Sequence, residues 1–96
     1  MLRSTVLAFA LVAAPALAAP HYRAEPAAQP AETRFPVRDV MWTCGEGSCM
    51  GGESNSRPAI VCALLAREVG TLLSFSAADK PLPPEQLEKC NARARP

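Results

Sequence analysis

Four cysteines, Cys44, Cys49, Cys62 and Cys90, follow an N-terminal segment with the grammar of an export signal. Arg3 supplies a positive start, Val6 to Ala14 is an uncharged apolar run, and Ala16-Leu17-Ala18 fits the small-x-small cleavage rule. The apolar run falls short of the ~20 residues that a membrane-spanning helix needs. Residues 1–18 therefore read as a signal peptide, cut to leave Ala19 at the new N-terminus, with no membrane span afterwards. An even cysteine count in a short exported chain points to a disulfide framework and to a periplasmic or secreted location.

Cleavage would leave 78 residues carrying nine Lys/Arg against nine Asp/Glu. That neutrality argues against nucleic acid, which calls for a basic footprint, and against a polybasic membrane tether. Residues 19–34 (APHYRAEPAAQPAETR) hold three prolines and five alanines with scattered charge. They read as a disordered Ala/Pro-rich linker. The only histidine, His21, falls inside it, so this reading leaves no imidazole for a folded active site.

The small disulfide-bonded domain then occupies residues 35–96. A core of that size rarely supplies more than ~3–5 kcal/mol, so covalent staples are needed. Val37 to Thr43 alternates and is β-rich, which predicts a strand. Cys44 to Ser54 holds four glycines and reads as a loop. Ser56-Arg57-Pro58 opens a helix over Ala59 to Val69, with Ser56 as cap and Gly70 as stop. Thr71 to Ser76 predicts a second strand, Pro81-Leu82 a short return strand, and Pro83-Pro84-Glu85 opens a second helix to about Asn91. The expected fold is α+β, in the order β-α-β-(β)-α: two helices packed on a two- or three-stranded sheet.

Four cysteines allow three pairings. The glycines between Cys44 and Cys49 let the chain turn back, and Cys62 and Cys90 sit on the inner faces of the two helices. Cys44–Cys49 with Cys62–Cys90 is therefore the favoured set. Cys44–Cys62 with Cys49–Cys90, or its crossed form, stays open. On the chain-entropy model the favoured bridges contribute about 2.2 and about 3.6 kcal/mol.

No cofactor is called for. A four-cysteine zinc site usually shows two tight knuckles, and only one loose pair is present. Met41 and Met50 flank Cys44 and Cys49, a thiolate-thioether set that would suit Cu(I). A thiol oxidoreductase would need Cys-x-x-Cys at a helix start, which is absent. Without a folded histidine no Ser-His-Asp arrangement forms. Gly51 to Arg57 lacks the spacing and the lysine of a phosphate loop.

One cluster has a binding mechanism. Ser54, Asn55, Ser56 and Arg57 stand where free N–H groups open the first helix, a place that can receive an anion or a partner's acidic side chain. Trp42 is either a surface anchor beside that cluster or the largest core residue.

The set Trp42-Thr43-Cys44, Cys49, Ser56-Arg57-Pro58-Ala59-Ile60-Val61-Cys62, Val69-Gly70, Ser74-Phe75-Ser76 and Leu87-Glu88-Lys89-Cys90-Asn91 resembles a family of short exported alphaproteobacterial four-cysteine proteins. The resemblance covers about Phe35 to Ala92 and implies export and a four-cysteine core. It implies no activity and no catalytic residue.

The expectation is a non-enzymatic periplasmic interaction or envelope module. It would show a protein or envelope partner its glycine loop and the Ser54–Arg57 helix start. One alternative is a soft-metal (Cu/Zn) or thiol-redox protein using Cys44, Cys49, Met41 and Met50. A small periplasmic enzyme inhibitor is the other.

Overall fold

A computed structural model describes residues 20–96, so the expected signal peptide lies outside the described residues. Six strands form one antiparallel sheet. They are β1 (Tyr22–Pro26), β2 (Arg34–Val37), β3 (Val40–Gly45), β4 (Ser48–Gly51), β5 (Leu72–Ala77) and β6 (Lys80–Pro81), in spatial order β2-β3-β4-β1-β5-β6. Helix α1 (Pro58–Val69) joins β4 to β5, and α2 (Pro84–Asn91) follows β6.

This corrects the expected fold, in which the helices lay on two or three strands. The missing strands are β1, β2 and β4. Strand β1 lies in the segment read as a disordered linker, yet it pairs with β4 on one side and β5 on the other. Both of its backbone edges are hydrogen-bonded, which its weak local β-propensity does not advertise. Strand β4 lies in the stretch read as a glycine loop. Glu46 and Gly47 both adopt positive φ, 53° and 81°, so that stretch is a two-residue hairpin turn whose twist matches its strands. Ala78 and Asp79, at φ 50° and 64°, turn β5 into β6 in the same way.

Strand alternation sends one set of side chains to the helices and the other to the open face. Tyr22, Ala24, Phe35, Trp42, Cys44, Cys49 and Phe75 are buried. Arg23, Glu25, Met41, Thr43 and Met50 lie on the opposite, exposed face. On the inner face, register sets large residues beside small ones. Trp42 faces Gly51, Gly51 faces Tyr22, and Tyr22 faces Ala77. In the next row Cys44 faces Cys49, Cys49 faces Ala24, and Ala24 faces Phe75.

The small residues give the rings room to meet. Tyr22, Trp42 and Phe75 form a triangle with centroids 5.8 to 6.3 Å apart, a spacing in the favourable range for aromatic pairs. The Trp42 indole covers Gly51. A Cβ at residue 51 would stand 2.8 Å from Val40 Cγ1 and 3.0 Å from two Trp42 ring carbons.

The helices close this face. Val61, Cys62, Leu65 and Ala66 of α1 and Cys90 of α2 are buried against it. Cys44 is bonded to Cys49, joining directly opposed residues of the β3–β4 hairpin, and Cys62 is bonded to Cys90, joining the helices. The Asn91 side chain then fastens α2 to the sheet. Its Oδ1 accepts from the Leu72 N–H at 2.8 Å and its Nδ2 donates to the Leu72 carbonyl at 2.8 Å. The amide thus pairs with the backbone as a neighbouring strand would.

The glycine contact generates a test. Gly51→Ala should destabilise the protein by about 1–3 kcal/mol through overpacking. Gly52→Ala, where an added Cβ meets nothing within 4 Å, should stay within about 0.5 kcal/mol of the parent. Urea denaturation of the two variants, followed by Trp42 fluorescence, checks both.

Candidate functional site

The expected anion site at the start of α1 is not built as the sequence suggested. Arg57 occupies the N-cap position, its side chain makes no cap hydrogen bond, and Pro58 opens the helix. Ser56 does not cap. Its own N–H donates to Ser54 Oγ at 3.0 Å. Ser54 Oγ also lies 3.4 Å from Asp39 Oδ1, which the β2–β3 turn brings alongside. The Ser54–Arg57 cluster therefore contains a carboxylate of its own, which opposes a second anion there. Asn55 and Arg57 are exposed.

Trp42 cannot be a surface anchor, because it is 0% exposed at the centre of the sheet's inner face. Its indole Nε1 has no hydrogen-bond partner among the described residues. Of the expected glycine loop there remain the Glu46-Gly47 turn and the irregular segment from Gly52 to Ser54.

The soft-metal set does not converge. Cys44 and Cys49 are bonded to each other and face the helices, whereas Met41 and Met50 are exposed on the other side of the same sheet. No thiolate is free to join a thioether there. His21 belongs to the fold rather than to a loose tail. Its ring packs edge-on against Tyr22 at 4.6 Å, and its carbonyl accepts the Ala78 N–H at 2.8 Å.

A different surface emerges on the outer side of the helices. The two helices run in the same direction, because Cys62 meets Cys90 and, one turn on, the Ala66 carbonyl accepts the Arg95 N–H. Between them lies an open groove of about 570 Å³. Ala59, Ile60, Ala63 and Leu64 form its α1 wall, and Gln86, Lys89, Ala92 and Arg93 line the α2 side. The Cys62–Cys90 bridge sets the spacing of the walls, with Cys90 itself in the lining.

Charge in the groove is one-sided. Arg67 lies in the last turn of α1, Lys89 in the last turn of α2, and Arg93 just beyond it. No carboxylate among the described residues lines the groove. Ile60 is 50% exposed there, an apolar side chain that the described residues leave half uncovered.

Sequence reasoning missed this surface because it followed the inward face of α1, which carries Cys62. The available signal was Ile60, an isoleucine beside the small residues Ala59 and Ala63.

A family model described as a family of unknown function (DUF8200) matches residues 7–92 and so spans all eight structural elements. No curated protein and no solved structure matches the chain.

The helix start predicts a contrast between two neighbours. Arg57→Ala should leave stability within about 0.5 kcal/mol of the parent, since the side chain caps nothing. Ser54→Ala should cost about 0.5–1.5 kcal/mol by removing the acceptor of the Ser56 N–H. Thermal unfolding of the two variants separates them.

Proposed function

The chain belongs to DUF8200, a family of unknown function, and we propose that this member is an exported, non-enzymatic interaction module that holds a partner between α1 and α2. One observation carries the reading: an open groove with an apolar wall, a half-exposed Ile60 and three cations in its lining. An apolar centre bordered by charge is the usual anatomy of a protein contact.

Other features support it. Two disulfides suit an oxidising compartment such as the periplasm. Among the described residues no helix is long and apolar enough to cross a membrane. The groove's walls are also held in place. The Cys62–Cys90 bridge and the Asn91 clamp on Leu72 fix α2 against α1 and the sheet. A pre-ordered surface binds without the cost of organising itself.

Position-specific photo-crosslinking tests the reading in cells that export the protein. A crosslinker at Ala63 should form a discrete adduct, and one at Ser76, on the far side of the sheet, should not. Ile60→Arg should remove the Ala63 adduct while leaving the melting temperature unchanged. Adducts from Ser76 alone, or Ala63 adducts indifferent to Ile60→Arg, would overturn it.

A further inference from the structure

We infer that the occupant of this groove is an acidic amphipathic α-helix. The inference rests on the groove being the binding surface and adds the class of the partner.

Shape is the first argument. Two neighbouring helices leave a furrow between them, and a third helix fills such a furrow by ridge-into-groove packing. Ala59 and Ala63, four residues apart on α1, allow close approach of a backbone, while Ile60 and Leu64 offer the apolar contacts. The surface is concave, so a flat lipid surface would rest on the rim and leave the floor uncovered.

Charge is the second. Arg67 of α1 and Lys89 and Arg93 of the α2 side all line the groove. The acidic residues of α2, Glu85 and Glu88, are absent from the lining. One basic residue per helix C-terminus is explained by the helix dipole. Arg93 lies beyond α2 and exceeds that need. The charged side chains of the lining are therefore all cations, which an anionic segment complements.

Fluorescence anisotropy on the disulfide-bonded protein provides the test. The probe is a fluorescein-labelled synthetic helix with leucines at i, i+3, i+4 and i+7 and glutamates in its first two turns. Its counterpart carries lysines in place of the glutamates. The first peptide should bind saturably, with amide shifts at Ile60 and Ala63. The lysine peptide should bind at least roughly tenfold more weakly, and added salt should narrow the gap. The double variant R67E/R93E should lose the acidic peptide.

Equal binding of the glutamate and lysine peptides would overturn the inference, as would no binding of either. Binding to anionic phospholipid vesicles in place of the acidic peptide, lost in R67E/R93E, would overturn it too. If these arms fail while the Ala63 crosslink persists, the groove remains the binding surface and the acidic helix is wrong. If the crosslink also fails, both readings fall.

Discussion

Strand β1 is the constraint on which the rest of the molecule depends. The sheet consists of two parts, a β2-β3-β4 meander and a β5-β6 hairpin, and β4 and β5 do not pair with each other. Only β1 lies between them, bonded to both. Neither disulfide does this work: Cys44–Cys49 stays inside the β3–β4 hairpin, and Cys62–Cys90 joins helix to helix. Strand β1 also carries Tyr22, which stands between Trp42 from one part and Phe75 from the other. Its pairing with β5 brings Tyr22 beside Ala77, far apart in sequence, and such long-range closure is the entropically costly step of folding.

The functional surface follows from that frame at one remove. A joined sheet presents one continuous apolar face, and α1 settles on it through Val61, Leu65 and Ala66. Helix α2 is short and buries little of its own side-chain surface, Cys90 apart. It is held by the bridge to Cys62 and by the Asn91 amide on Leu72. Covalent and polar contacts thus replace the apolar area that α2 lacks. They also leave its Lys89 and Arg93 free to border the groove.

How much could be read from residues alone depended on whether the signal was local. Helix α1 was legible because its apolar positions recur at helical spacing and Gly70 ends it; the Gly70 N–H donates to the Ala66 carbonyl at 2.8 Å. Strand β3 was legible through Val40 and Trp42, although its end, Cys44 and Gly45, lay in the stretch read as a loop. Strand β1 was not, because its inward residues are Tyr22, Ala24 and Pro26, of which only tyrosine favours a strand. Ala24 is needed there because it sits between Cys49 and Phe75, a reason visible only after strands distant in sequence are paired. Strand β4 was hidden by its glycines, and Gly51 is required because the Trp42 ring occupies the space of a side chain. The groove was hidden for a similar reason. Arg67, Lys89 and Arg93 are ordinary surface cations until two parallel helices bring them to one groove.

Native-state hydrogen exchange on the mature, disulfide-bonded chain tests the central role of β1 most directly. The account predicts that the Ala24 amide exchanges only through global unfolding, as slowly as the most protected amides of β3 and β5, despite lying so near the N-terminus. Fast exchange of residues 22–26, with β3 and β5 still protected, would show that the two parts of the sheet hold together without β1 and would contradict it.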